Sequence, residues 1–154
     1  DRPSRIVKTF TSKPTELEEI NWSLFRRYQL IKKEETIYEA FMVEDARLIV
    51  VAFGIAARIA KGAVKNVRAE GLKVGMLRPI SLWPFPTEKV QELAKKTKHF
   101  LVFEMNMGQM LEDVQLSLEG KGEVFFYGRP GGVIPTPNEV QRVISRHYYQ
   151  KGLK

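Results

Sequence analysis

Apolar and polar positions alternate along this chain in a strand-then-helix rhythm that begins at Leu48 and runs to Gln150. Leu48-Ile49-Val50-Val51-Ala52-Phe53 is a continuous apolar run, the mark of a strand covered on both faces. After Gly54, the residues Ile55, Ala56, Ile59, Ala60, Ala63, Val64 and Val67 recur at helical spacing, and Gly71 supplies a left-handed cap. The cycle repeats with a predicted strand over 73–77, a helix over 87–96, a strand over 100–104, a helix over 108–118 and a strand over 123–127. A last helix opens at Thr136-Pro137-Asn138-Glu139, a capping box with proline in the first turn, and presents Val140, Val143, Ile144, His147 and Tyr148 inward. Strands and helices alternating at roughly 25-residue spacing require right-handed crossovers and a largely parallel sheet.

The first 45 residues read differently. Residues 1–14 show no periodicity and are predicted to be an arm. Thr15 and Glu18 have the spacing of a capping box, and Leu17, Ile20, Leu24, Tyr28 and Ile31 follow at helical spacing to about Lys33. Thr36 to Val43 is read as a short edge strand, and Glu44-Asp45-Ala46 as a turn. The division is therefore an arm over 1–14, a helix and edge strand over 15–45 and an α/β domain over 46–154, with one domain overall.

Composition narrows the function classes. The 154 residues are 44% hydrophobic and 28% charged, an ordinary balance for a water-exposed globular fold, and no apolar run is long enough to span a membrane. Asp1 stands where an initiating Met is expected, which suggests a domain or processed piece of something longer. Cys is absent, which removes disulfides, thiolate nucleophiles and iron-sulfur ligands and suits a cytoplasmic home. His99 and His147 alone are too few for a His-based metal site. The net charge of +7 comes from scattered Lys and Arg with acidic neighbours, so neither nucleic acid nor membrane is the expected partner.

Unusual residues concentrate in the loops that leave the strands, which gather on the carboxyl edge of a parallel sheet where ligands and partners bind. Phe53-Gly54 runs straight into a helix, but the dinucleotide and Walker spacings are missing, leaving an anion site and a plain tight turn as readings. Glu104 ends a buried strand, followed by Asn106 and Gly108; its carboxylate is read either as a base, ligand or anchor, or as an acceptor for nearby loop amides. Arg78-Pro79-Ile80-Ser81-Leu82-Trp83-Pro84-Phe85-Pro86 is stiffened by its prolines and offers Trp83 and Phe85 either to the domain's own core or to another protein. Arg129-Pro130-Gly131-Gly132 is a cationic turn. Met107, Met110, Leu111, Val114 and Leu118 fit one helical face, and most of them are read as core. No catalytic triad assembles.

Three of these segments together are specific. Val50-Val51-Ala52-Phe53-Gly54, then Gly71 through Pro86 with its R-P-I-S-L-W-P-F-P run, then Val102-Phe103-Glu104-Met105-Asn106-Met107-Gly108-Gln109 resemble the alpha subunit of 2-oxoacid:ferredoxin oxidoreductases. The likeness is to the domain with the transketolase C-terminal fold, runs from about Ala46 to Ile144, and includes Gly131-Gly132 and Thr136-Pro137. It implies a three-layer α/β/α fold with a five-stranded sheet, order 1-3-2-4-5 and strand 1 antiparallel, the segment near Tyr38 supplying strand 1. It also implies a whole complex that uses thiamine diphosphate, Mg²⁺, coenzyme A and iron-sulfur clusters to convert a 2-oxoacid to an acyl-CoA and reduce ferredoxin.

The G-D-G…N thiamine motif and cluster cysteines are absent here. The implied role is thus a scaffold and interface domain, inactive alone and binding none of these cofactors, with thiamine-binding and iron-sulfur subunits as partners and ferredoxin as an indirect one. Gly54, Glu104, Asn106, Gly108, Arg129, Gly131 and Gly132 are the candidate contacts of the crevice, and Arg78, Trp83, Pro84 and Phe85 those of the interface. An anion- or nucleotide-binding module and the matching domain of another thiamine enzyme are the competing readings.

Overall fold

A computed structural model describes residues 3–4 and 10–153 and divides the chain into two compact units, Asp1–Glu35 and Thr36–Lys154. Of the predicted arm over 1–14, residues 1–2 and 5–9 lie outside the described residues. The first unit is built on one helix, α1 (Pro14–Glu34), which buries none of its residues. It starts two residues earlier than the spacing of Thr15 and Glu18 predicts, with Lys13 rather than Thr15 at the N-cap. Pro14 takes the first turn, where its fixed φ and missing N–H cost nothing, so Lys13 is the N-cap and no side chain caps the helix.

The second unit opens with β1 (Tyr38–Phe41) and β2 (Leu48–Val51), and continues through α2 (Gly54–Ala69), β3 (Val74–Pro79), α3 (Thr87–Ala94) and β4 (His99–Glu104). It closes with α4 (Gln109–Leu118), β5 (Glu123–Gly128) and α5 (Pro137–Gln150). The five strands form one sheet in the order β1-β3-β2-β4-β5, with β1 antiparallel to β3 and every other pair parallel. Order and strand directions agree with what the resemblance implies. β3 runs two residues past its predicted end because β1 lies against it, Tyr38 opposite Pro79 and Glu39 opposite Arg78.

Each strand's alternation feeds two cores. Leu48, Val50, Val74, Met76, Leu101 and Phe103 face α2 and α5, while Ile49, Val51, Leu77, Phe100 and Val102 face α3 and α4. That double cover explains why the strands read as unbroken apolar runs. Ala56, Ala57, Ala60 and Ala63 give α2 a smooth buried face, which lets it lie close on the sheet.

Backbone and side-chain caps hold the helix ends. Leu72 N donates to Val67 O (3.0 Å) past Gly71, the expected left-handed cap, and the Thr136–Glu139 capping box opens α5 as predicted. Arg68 ties the turn after β1 to α2, donating to Asp45 Oδ1 (2.7 Å), Met42 O (2.6 Å) and Val74 O (2.7 Å). The Arg68 guanidinium in turn holds the Asp45 carboxyl below its ordinary range.

Candidate functional site

Because β2 to β5 run parallel, the segments that follow them emerge on one side of the sheet, and β2 and β4 are the neighbours where the chain reverses its direction of winding. Gly54 and Glu104 stand at the carboxyl ends of those two strands. What each residue does there is set by its hydrogen bonds.

Glu104 is fully buried, and its carboxylate is turned into the start of α4. Met110 N donates to Oε2 (2.9 Å), Leu111 N to Oε1 (3.0 Å) and Asn106 Nδ2 to Oε2 (3.0 Å). Asn106 Oδ1 accepts from Gly108 N (2.7 Å) and Gln109 N (3.2 Å). The four amides from 108 to 111, which a helix start leaves without partners, are therefore all engaged by two side chains. Gly108 makes the arrangement possible with a φ of 109°, which brings its own N–H under Asn106. Of the two readings of Glu104, the acceptor of loop amides is the one the geometry describes. Both of its oxygens are engaged as acceptors.

Gly128 lies level with Glu104 on β5 and closes the same corner. A Cβ placed there would come within 2.7 Å of Asn106 O, so the loop after β4 crosses β5 at a distance only glycine allows. Asp113, one turn into α4, has its pKa pushed up first by burial and then by the negative charges of Glu104 and Glu112. A raised carboxylate costs stability once both folded and unfolded chains are ionised and costs nothing below the unfolded value. Asp113→Asn should therefore raise the melting temperature at neutral pH, with the gain shrinking as pH falls through the carboxylate range. Calorimetric melts of both proteins from pH 3 to 7 would check this.

The remaining candidates divide between inward and outward. Gly54 opens α2 with a φ of 56°, and among the described residues a Cβ there would meet nothing within 4 Å. Arg129 donates to Tyr127 Oη (3.2 Å) and Glu139 Oε1 (3.3 Å), and the hydroxyl and then the carboxylate raise its pKa. Gly131 and Gly132, both at positive φ, stand in the open turn that follows.

Arg78 reaches Glu39 Oε2 at 3.4 Å on the neighbouring strand. Pro84 is buried and Phe85 packs against the core beneath α3 and α4, so these two form the inner support of their loop. Ser81 Oγ pins it, donating to Pro84 O (2.9 Å) and accepting from Ile37 N (2.9 Å). Trp83 points out, 58% exposed.

Met107 is the member of the predicted helical face that is not core. It precedes the helix rather than joining it, and is 78% exposed, whereas Met110, Val114 and Leu118 are buried as expected. It belongs to a set of exposed apolar residues of which the sequence singled out Trp83. Ile55, Ile80, Leu82, Trp83, Met107 and Ile134, one or more from each segment following β2 to β5, are all exposed. Such residues show no period, so the signal lies only in their place after strand ends. Scattered single apolar residues on a surface are common; these six lie in segments that leave the same edge of the sheet.

The two histidines lie elsewhere. His99 begins β4, with Nδ1 3.3 Å from Glu123 Oε2, at the opposite end of the strand from Glu104. His147 stacks on Phe125 (4.5 Å between centroids), and burial, then the Arg146 and Lys151 charges, push its pKa down. Among the described residues no group of three or more His, Cys, Asp or Glu stands close enough to hold a metal ion. No helix among them is long and apolar enough to cross a membrane. Among the described residues a Mg²⁺-held pyrophosphate thus finds no fitting ligand set at this edge, where the buried carboxylate is engaged by amides.

The fold is a three-layer α/β domain of the transketolase C-terminal type, in which Glu104 and Asn106 hold the start of the domain's own helix α4. Its structure resembles a 2-oxoglutarate:ferredoxin oxidoreductase from Magnetococcus marinus solved with 2-oxoglutarate, coenzyme A and succinyl-CoA (TM-score 0.74, 22% identity, 88% of this chain and 24% of that one). It also resembles a split-gene transketolase in an inactive beta4 tetramer (TM-score 0.58, 21% identity, 70% of this chain and 40% of that one). By sequence it is 44% identical over 129 residues to the ketoisovalerate oxidoreductase subunit VorB of Methanothermobacter marburgensis, covering 84% of this chain and 36% of that subunit. Residues 46–140 match the model of the pyruvate:ferredoxin oxidoreductase core domain II, and the chain belongs to that family. It spans about a third of the length of VorB.

Proposed function

We propose that this chain is a non-catalytic scaffold domain of the alpha subunit of a thiamine-diphosphate-dependent 2-oxoacid:ferredoxin oxidoreductase. The whole assembly would decarboxylate a 2-oxoacid oxidatively to an acyl-CoA in the cytoplasm and pass the electrons to ferredoxin. Thiamine diphosphate, Mg²⁺, coenzyme A and iron-sulfur clusters are held by the other domains and subunits, which are the partners of this one. The observation that carries the reading is the contrast at the carboxyl edge. Its buried carboxylate is consumed by helix amides, while Trp83, Leu82, Ile80 and Met107 project apolar surface outward.

Family membership supports it, as does the cover of only a third of a related subunit. In this role Arg78, Trp83, Pro84 and Phe85 form one stiff contact, with Pro84 and Phe85 bracing Trp83 from within. Gly54, Glu104, Asn106, Gly108, Arg129, Gly131 and Gly132 shape the floor beside it.

The purified chain should show no turnover when given a 2-oxoacid, thiamine diphosphate, Mg²⁺, coenzyme A and a viologen acceptor. Turnover by the chain alone would overturn the scaffold reading. Trp83→Ala should weaken binding to the thiamine-binding and iron-sulfur subunits by about 2–4 kcal/mol while changing the unfolding free energy by less than about 1 kcal/mol. Titration calorimetry of the reconstituted complex beside urea melts of the domain measures both. Equal losses in the two would place Trp83 in the domain's own core.

A further inference from the structure

The sheet ends on β5, and that side of the strand has no neighbour. β5 pairs with β4 alone, in parallel and without a break from Glu123 to Gly128. Glu123 N donates to Lys98 O (2.6 Å) and Arg129 N to Glu104 O (3.0 Å), so the odd-numbered residues turn their amides and carbonyls toward β4. Backbone groups alternate sides along a strand, which aims the N–H and C=O of Val124, Phe126 and Gly128 away from the sheet. Among the described residues nothing bonds to them.

Proteins blunt such an edge with a lysine, a proline, a bulge or a very short strand. The opposite edge of this sheet is short, the four residues of β1. β5 is six residues long, reads Glu-Val-Phe-Phe-Tyr-Gly and carries none of these devices, and Phe126 is 37% exposed on it. An open edge with this sequence is a template for another strand.

The order of its residues says which strand fits. Two copies of β5 laid antiparallel with Phe126 opposite Phe126 set Val124 against Gly128, Phe125 against Tyr127 and Glu123 against Arg129. All three outward residues of each strand then donate and accept, closing about six backbone bonds. Aromatic meets aromatic in the middle, and opposite charges meet at both ends. Glu123 and Arg129 keep exposed surface for this, although Glu123 also meets Lys151 and Arg129 also meets Glu139. A parallel pair would instead set Glu123 against Glu123 and Arg129 against Arg129. A match to its own reverse is what a two-fold interface demands of a surface.

We propose that β5 is a self-pairing edge, through which two copies of this chain join their sheets into one. Apart from Arg129, the pairing uses no residue of the surface assigned above to partner subunits, so either reading can fail without the other.

Sedimentation of the purified chain should show a dimer with a Kd of roughly 10 µM, weak because a strand edge buries little area. At about a hundred times that concentration, amide exchange at Val124, Phe126 and Gly128 should slow by about tenfold. Phe125 and Tyr127, whose amides β4 already holds, should not change. The chain has no Cys, so introduced ones report the register without background. Glu123→Cys and Arg129→Cys should each fail to self-link under mild oxidation, because like positions lie about 20 Å apart in the pair, yet should form a disulfide when mixed. Phe126→Lys, which removes no bond to β4, should give a monomer that still melts cooperatively, and Phe126→Leu should stay dimeric.

A chain that remains monomeric at about 1 mM overturns the proposal; slowing of the same three amides only on adding the thiamine-binding subunit would then make a partner's strand the occupant. A dimer whose amides at 124, 126 and 128 exchange as fast as the monomer's also overturns it, since the contact would lie elsewhere. So does self-linking of Glu123→Cys, which would mean parallel pairing.

Discussion

Glu104→Ala is expected to lower the free energy of unfolding by about 3–5 kcal/mol, because it removes one acceptor group and strands three donors. Met110 N, Leu111 N and Asn106 Nδ2 all end on this carboxylate, and the site is fully buried. Without it Asn106 loses its tether, and the bonds that Asn106 Oδ1 accepts from Gly108 and Gln109 loosen with it. Glu104→Gln keeps the shape and one good acceptor, but its amide nitrogen must face a donor. Its cost should fall between wild type and Ala, near about 1–2 kcal/mol. Urea melts of the three proteins rank them. The damage should be local as well as global, with faster amide exchange at Gly108 through Leu111 than at β2. An Ala variant as stable as wild type would mean the carboxylate is not the cap of α4.

Phe103→Ala tests the neighbouring residue on the opposite face of the same strand. Phe103 is fully buried in the core beneath α2 and α5 and stacks on Tyr127 with centroids 5.3 Å apart. Removing it leaves a cavity that these close-packed layers fill only in part, at a cost of about 3–5 kcal/mol. The loss should be spread over the whole second unit, because no cap or loop depends on the ring. Thermal and urea melts should shift together without selective exchange at 108–111. The pair of variants thus separates two ways in which adjacent residues of β4 hold the domain, one by filling space and one by closing a helix end.

The same distinction explains how much was legible in the sequence. Apolar runs such as Leu48 to Phe53 and stripes such as Ala56, Ala60 and Val64 fixed the alternation of strands and helices, since burial on one or two faces leaves a period. The order of strands has no such period and came from the resemblance of whole loop segments. Boundaries slipped where a neighbour outside the segment decided them. β1 extended β3 to Pro79, and Pro14 started α1 ahead of Thr15.

Glu104 was visible as an oddity, a carboxylate at the end of an apolar strand, yet its partners are mostly backbone amides, which every residue carries and no sequence marks. The loop from Ile80 to Pro86 gave no hint that Trp83 turns out while Pro84 and Phe85 turn in, because an irregular proline-rich segment has no alternation to follow. Met107 failed for a related reason. Its spacing fits the helix that begins just after it.

The double tether of residues 104–108 also limits how this surface can change. Adding or removing one residue between Glu104 and Gly108 would break the register of both side chains with the amides they serve, so the loop's length is locked even where its exposed side chain, Met107, is free to vary. The turn through Gly131 and Gly132 has no such lock; a Cβ there would meet nothing within 4 Å, although the positive φ of both glycines strains any side chain placed on them. Of these two loops, the turn is the one in which a change of length breaks no side-chain tether of the kind Glu104 and Asn106 make.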